Sequence, residues 1–264
     1  MGLRPRRATT LRGDRKSRIV TTVTTVLPPL PFRGTPPNRD RHVLQQGFWF
    51  KAHRWSSRLD PAAWPPELDA CPESIDRRWI DRRALFAIAD RAGDPVGAIH
   101  TLVATSIWGT STSARGRARR LRVFHADLAA VGDSVAHAVN VMLQDGPVAA
   151  YRTLHDRGPS VKHLGPAFGT KVLYFAGYNH TTEHPRPLIL DRYVALALNQ
   201  LCGWSWPDAG WTADQYATYL DLAERWAAAW DTEADVIELV LFNVGKSDKL
   251  AIAALSGTPA PEAP

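Results

Sequence analysis

The chain has 264 residues, of which 45% are hydrophobic and 22% charged, and its formal net charge is +6. This composition predicts a folded body with a sizeable core, and it disfavours a membrane protein because no run of about eighteen uncharged apolar residues occurs. The two cysteines, Cys71 and Cys202, exclude four-cysteine zinc and iron–sulfur sites and give no disulfide framework.

The positive charge is concentrated at the amino terminus. Residues 1–41 hold ten arginines and lysines against Asp14 and Asp40, so the rest of the chain sums to about −2. Residues 1–42 mix Arg, Thr and Pro without periodicity, which predicts a disordered basic tail. This start lacks the apolar run of a secretory signal, so we expect a cytoplasmic protein. Within the body, basic residues cluster at Arg115, Arg117, Arg119, Arg120 and Arg122.

Helical patterns dominate from Pro72 onward. The first predicted helix, ESIDRRWIDRRALFAIADRAG, carries Ile75, Trp79, Arg82 and Phe86 at helical spacing. Later segments show apolar residues at three- and four-residue spacing. Asp133 is the predicted N-cap of one of them, DSVAHAVNVMLQDG. The segments are GAIHTLVATSIW, ARRLRVFHADLAAVG, DSVAHAVNVMLQDG, PVAAYRTLHD, DRYVALALNQLCG, TADQYATYLDLAERWAAAW and TEADVIELVLFNVG.

Strand patterns, in contrast, are not convincing. VTTVTTV is β-prone but isolated in the predicted tail, and a single strand cannot make a sheet. We therefore predict an all-α domain over residues 43–258, followed by a loose end at 259–264. His180 and His184, with Glu183 between them, have metal-ligand spacing, but the stretch reads as a loop and no further ligand lies nearby. We expect neither a metal nor a cofactor.

The most informative stretch is VKHLGPAFGTKVLYFAGY, residues 161–178. A glycine-bounded turn here precedes an apolar helix, and such a turn leaves backbone N–H groups free at the helix start, where they bind phosphate without reading base sequence. Twenty residues after Lys171, the segment LILDRYVALAL places Asp191 directly before another helix. Taken alone, Lys171 would be interpreted as an exposed surface lysine and Asp191 as a helix N-cap.

Together these segments resemble the helix-hairpin-helix DNA glycosylases of the 8-oxoguanine type. Their hairpin reads Leu-Pro-Gly-Val-Gly-Thr-Lys, and the counterpart here runs from Leu164 to Lys171. The Gly-Thr-Lys end matches residue for residue, whereas the turn is one residue longer and its Pro and first Gly are exchanged. The family also has an aspartate about twenty residues beyond the lysine, which corresponds to Asp191. The resemblance covers roughly residues 147–202 and implies a two-lobed helical fold with the catalytic cleft between the lobes.

The resemblance implies that Lys171 is a nucleophile and Asp191 its electrostatic partner. Cutting an N-glycosidic bond builds positive charge on the sugar, which a carboxylate stabilises, while an amine can attack the anomeric carbon and hold the sugar as a Schiff base. Lysine-bearing members then nick the strand by β-elimination. A nucleotide-hydrolase phosphate loop is excluded, because that motif needs four residues between its glycines and a lysine directly after the second.

The predicted partner is double-stranded DNA with a modified base, bound by a monomer. Phe175 lies four residues after Lys171 and is a candidate for the base pocket, with core packing as the alternative. Trp204, Trp206, Trp211, Trp226, Trp230 and Phe242 are further candidates for its other wall. The predicted DNA contacts are His163, Gly165, Gly169, Thr170, Arg115, Arg117 and Arg119, and the loop 109–113 is placed to probe the gap left by the flipped base.

Two other classes of function remain open at this point. One is a non-catalytic helix-hairpin-helix DNA-binding protein, and the other is a helical interaction protein with a basic tail. The substrate is open too: the resemblance suggests 8-oxoguanine, and a bulky modified base of a viral genome is the alternative, which would make the protein defensive.

Overall fold

A computed structural model describes residues 27–110, 113–156, 161–180, 183–247, 253 and 255–256. Residues 1–26, which make up most of the predicted tail and include VTTVTTV, lie outside the described residues, as do the predicted loose end 259–264 and the middle of the loop 109–113.

The segment from residue 27 to residue 44 packs on the helical body. Phe32 is 4% exposed and its ring lies against the rings of Trp226 and Trp230. The two indoles donate to the backbone oxygens of Pro28, at 3.1 Å, and Gly34, at 2.8 Å. A π-helical turn, Arg39–Leu44, follows. The predicted tail therefore extended too far, because the two tryptophans bury this segment.

A small antiparallel sheet was not predicted. It consists of β1 (Gly47–Phe50), β2 (Glu73–Ser74) and β3 (Arg77–Asp81) in the order β1-β3-β2. Trp49 stands opposite Trp79 across β1 and β3, and their rings meet at 5.4 Å, a type of cross-strand pair that stabilises sheets. The predicted helix from Glu73 was thus wrong over its first half, because a partner strand distant in sequence pairs with it.

The first half of the helical body runs from α1 to α6. Asp81 caps α2 by accepting from the Ala84 amide, so the helix begins only at Arg82. Asp127 caps α5 in the same way and replaces the predicted cap Asp133, which lies inside that helix. The helices are α1 (His53–Ser56), α2 (Arg82–Ala89), α3 (Pro95–Thr110), α4 (Ala114–Leu121), α5 (Leu128–Asp145) and α6 (Pro147–His155), with short 3-10 turns at Pro61–Ala63, Pro66–Leu68 and Arg122–His125.

The second half contains α7 (Pro166–Gly177), α8 (Arg192–Cys202), α9 (Ala213–Trp230) and α10 (Ala234–Lys246). Gly203 ends α8 in the left-handed conformation, at φ 70°, as a glycine after a helix commonly does. These helices match the predicted segments within a few residues. The predicted all-α class is confirmed, with the small sheet as an addition.

Close helix contacts position the site. A Cβ added to Gly245 of α10 would lie 2.0 Å from the backbone oxygen of Tyr193, so α10 and α8 touch at their backbones. A Cβ on Gly169 of α7 would lie 2.3 Å from Nε2 of His155 in α6. Helix α3 packs on α5 and α7. Among the described residues, no helix has the length and apolar character needed to cross a bilayer.

Candidate active site

Lys171 and Asp191 meet in the structure. The lysine Nζ lies 3.1 Å from Oδ2 of the aspartate and 3.5 Å from the backbone oxygen of Ala167, and the lysine is only 5% exposed. Oδ1 of Asp191 accepts from the amides of Tyr193 and Val194, at 3.0 and 3.3 Å. One carboxylate oxygen therefore caps α8 while the other faces the amine.

Thr170 holds the two chain segments in this arrangement. Its hydroxyl donates to the backbone oxygen of Leu190 at 3.2 Å and accepts from the Leu190 amide at 3.1 Å. This pair of bonds ties α7 to the residue directly before Asp191. Thr170 is fully buried, and Gly169 is buried against His155. Both were predicted to contact DNA, and in the structure both are buried and neither presents a surface to a duplex.

A cavity of about 330 Å³ opens beside the lysine and the aspartate. Four aromatic side chains form its walls, and its polar end consists of an amide, a guanidinium and a carboxyl group. The aromatic residues are Phe48, Trp108, Tyr193 and Phe242, and the polar residues are Gln46, Arg82 and Glu238.

The polar end of the cavity is a buried hydrogen-bonded group. Arg82 and Glu238 are each 1% exposed and form an ion pair of 2.7 Å. Nε of Arg82 donates to Oε1 of Gln46 at 2.8 Å, and the guanidinium stacks over the Trp108 ring at 5.2 Å. Burial raises the pKa of Glu238, although the charge of Arg82 opposes this effect. The cavity thus offers fixed polar groups in surroundings largely closed to water.

Phe175 does not line this cavity. It is 2% exposed and packs edge-on against Phe86 and Trp108. The core-packing alternative therefore describes its place, and Trp108, against which it packs, faces the cavity instead. Of the six further aromatic candidates, Phe242 lines the cavity, whereas Trp226 and Trp230 pack on Phe32.

The turn between α6 and α7 presents polar groups at the surface. Leu164 is buried, while Lys162, His163 and Gly165 are exposed. His163 has φ 70°, a conformation uncommon outside glycine that tight turns require. Gly165 caps α7 without a side-chain hydrogen bond, and Pro166 follows at the first helical position. This end of α7 has the free amides and dipole that attract an anion. Residues 157–160, just before it, lie outside the described part.

Helix α4 carries the arginine cluster. Arg115 and Arg119 are exposed and Arg117 is half-buried. Arg120 is only 7% exposed, and its guanidinium stacks 4.3 Å over the ring of Phe168, in the first turn of α7. Burial lowers the pKa of Arg120 to about 10, with the nearby charge of Arg119 adding to the effect. Within the cluster, Arg115 and Arg119 therefore face solvent, whereas Arg120 packs against α7, the helix that holds Lys171.

Sequence reasoning missed several cavity residues. Glu238 had a signal: it is an acidic residue within the otherwise apolar run VIELVLF of α10, four positions before Phe242. Trp108 directly precedes the loop at residue 109 and also had a local signal. Gln46, Phe48 and Arg82 had no such signal, since only the sheet and α2 bring them to the site.

In the described segments no three His, Cys, Asp or Glu side chains are grouped as metal ligands. Nε2 of His180 lies 3.3 Å from Oδ1 of Asp90.

Comparison with known proteins assigns the chain to a family. No curated protein and no solved structure gives a significant match. A family model described as "Putative 8-oxoguanine DNA glycosylase OGG-like protein" matches residues 41–242, which is most of the chain and includes the lysine, the aspartate and every cavity-lining residue except Lys246. The chain therefore belongs to the 8-oxoguanine DNA glycosylase OGG-like family.

Proposed function

We propose that this protein is a DNA glycosylase that flips a damaged or modified base out of a duplex, excises it through a lysine Schiff base and then nicks the strand as an AP lyase. The observation that carries the proposal is the 3.1 Å contact between Lys171 Nζ and Asp191 Oδ2 at the side of an aromatic-walled cavity. An amine and a carboxylate placed together are the two groups that this reaction needs.

The reaction follows from these two groups. The unprotonated amine of Lys171 attacks C1′ of the flipped nucleotide, and the N-glycosidic bond breaks with its electron pair leaving on the base, which takes up a proton. Asp191 stabilises the positive charge that develops on the sugar, and its position is fixed because the α8 amides hold its other oxygen. The attached nitrogen loses a proton, and the C1′–O4′ bond breaks with its electron pair leaving on O4′, which takes up a proton, so that an iminium forms between Lys171 and C1′. A proton then leaves C2′, and the C3′–O bond breaks with its electron pair leaving on the oxygen of the 3′ phosphate.

The cavity has the features of a base pocket. Flat side chains such as Trp108 and Phe242 can recover by stacking part of the free energy lost when a base leaves the duplex. Glu238 and Gln46 supply fixed polar groups for the edge of that base. We propose 8-oxoguanine as the first substrate to test, in keeping with the family. A bulky modified base of a viral genome is the alternative, and release of that base alone would assign the enzyme to defence.

The proposed DNA surface is the turn before α7 together with the outer face of α4. The amides at Gly165 and the exposed His163 would hold one phosphate of the lesion strand, since a helix start attracts anions. Arg115 and Arg119 would hold further phosphates without reading sequence. The partner is therefore double-stranded DNA, engaged by one copy of the chain in the cytoplasm.

Borohydride trapping tests the proposal directly. Reduction of the Schiff base on a duplex containing 8-oxoguanine should crosslink the wild-type protein to DNA, and Lys171→Gln should abolish the crosslink while still binding the duplex. Arg225→Gln is the matched control, because it removes one positive charge from an exposed position on α9, and it should crosslink like the wild type. A crosslink that persists in Lys171→Gln would refute the assignment. Binding without base release across a panel of modified duplexes would show a non-catalytic DNA-binding protein.

A further inference from the structure

A second, smaller cavity lies next to the catalytic one and is strongly basic. Its volume is about 140 Å³, and four of its seven lining residues are cationic, whereas none is acidic. Side chains from β1, α1, β3 and α4 meet there. The lining residues are Trp49, Phe50, Lys51, Arg54, Trp55, Arg77 and Arg117.

Two of the cations lack a negative partner. Asp76, at the rim, pairs with Lys51 and lies 3.8 Å from Nε of Arg77. Within the described ranges, Arg54 and Arg117 make no ion pair. The Nε of Arg117 is shielded from solvent and has no hydrogen-bond partner among the residues that the structure describes. Burial, together with the charges of Arg54 and Arg58, lowers the pKa of Arg117.

This arrangement requires an anion. A buried donor without a partner is unfavourable for the fold alone, so an unpaired guanidinium N–H that lines a cavity points to a ligand. Guanidinium groups donate two parallel hydrogen bonds to the oxygens of a phosphate, and several cations around one small cavity favour an anionic group there.

The position of the cavity indicates where that phosphate comes from. Phe48 of β1 lines the catalytic cavity, and the residues that follow it in the chain, Trp49 to Lys51, line the basic one. Arg117 also belongs to α4, whose exposed arginines form part of the proposed DNA surface.

We infer that Lys51, Arg54, Arg77 and Arg117 form a pocket for one backbone phosphate of the bound duplex. The inference rests on the proposed function in one respect, namely that DNA is the partner. It adds a closed phosphate site built from the sheet region and α1, apart from the turn before α7.

The salt dependence of binding to an unmodified duplex tests the pocket. Each protein–phosphate contact contributes about 0.9 to the slope of log K against log salt concentration, and the four cations share one phosphate, so Arg117→Gln should lower that slope by at most about 0.9 and weaken binding at low salt. Arg54→Gln should do the same, and because Arg54 is exposed this variant should fold normally. Arg225→Gln, with an equal loss of charge on α9, should leave the slope unchanged.

Resonances of the arginine Nε–Hε groups identify the ligand. Inorganic phosphate and the duplex should each move the Arg117 signal downfield, and Arg117→Lys, which lacks this group, assigns the signal. A shift with inorganic phosphate but not with the duplex would mean a free-anion site and overturn the DNA assignment. No shift with either ligand, or an unchanged slope in both variants, would overturn the pocket itself. Neither experiment measures excision, so failure of the pocket can be distinguished from failure of the catalytic proposal in the borohydride test.

Discussion

At the scale of single residues, Asp191 divides its two oxygens between structure and chemistry. Oδ1 caps α8 and Oδ2 faces Lys171, so the two roles can be separated by substitution. An asparagine still offers an oxygen to the α8 amides but carries no negative charge. An alanine removes both.

We therefore predict different outcomes for two variants of Asp191. Both variants should lose stability because the buried Lys171 loses its ion-pair partner, but Asp191→Asn should be about 1 kcal/mol more stable than Asp191→Ala, since asparagine caps a helix as well as aspartate. Both should slow base excision by about 100-fold or more because the stabilising charge is lost. Single-turnover excision and urea unfolding measure the two effects. Equal stability losses in both variants would show that the cap has no such role.

Thr170 offers a second prediction at this scale. Thr170→Val keeps the shape of the side chain but removes the hydroxyl that bonds both backbone groups of Leu190, which leaves a buried N–H without its partner. The variant should lose about 1–3 kcal/mol of unfolding free energy. It should also slow excision, because the residue before Asp191 is no longer tied to α7. Thr170→Ser, which retains the hydroxyl, is the control and should stay nearer to the wild type in both measurements.

At the scale of elements, the segment before β1 is part of the helical body. Phe32 fills the space between Trp226 and Trp230, and Arg39 pairs with the buried Asp235 of α10 at 2.8 Å. Asp235 also accepts from the hydroxyl of Tyr174, on the helix that carries Lys171. The segment therefore braces α9 and α10, and α10 forms one wall of the cavity.

The matching prediction is that Phe32→Ala destabilises the whole fold. Replacing a buried phenylalanine by alanine costs about 3–5 kcal/mol, since the lost contacts leave a void between the two indoles. Urea unfolding followed by circular dichroism measures this loss. The exposed Arg33→Ala, one position along the chain, should stay within about 0.5 kcal/mol of the wild type. An equally small effect for Phe32→Ala would mean that the segment does not support the fold.

At the scale of the whole molecule, the local parts of the site were predictable and the distant ones were not. Lys171 and Asp191 carry signals in their own helix starts, and the chain between them is short. Arg82 and Glu238 lie 156 positions apart, so their pairing depends on how the helices pack. The segment around Trp79 was predicted as helix for the same reason. Its pairing with β1, in which Trp49 stands opposite Trp79, makes it a strand, and β1 is distant in sequence.

The pH dependence of global stability provides the last prediction. His155 packs between Tyr151 and Gly169, and within the described part of the chain its Nε2 has no hydrogen-bond partner. Burial lowers the pKa of the imidazole to about 4. The unfolded chain takes up this proton near pH 6.5, whereas the folded chain resists it. The contribution of His155 to stability is therefore complete above about pH 6.5 and declines as the pH falls toward 4, by up to about 3 kcal/mol. Urea unfolding of the wild type at pH 7.5 and pH 5 should show this decline. His155→Gln, which does not titrate, should show less of it, and an identical decline in both proteins would assign the effect to other groups.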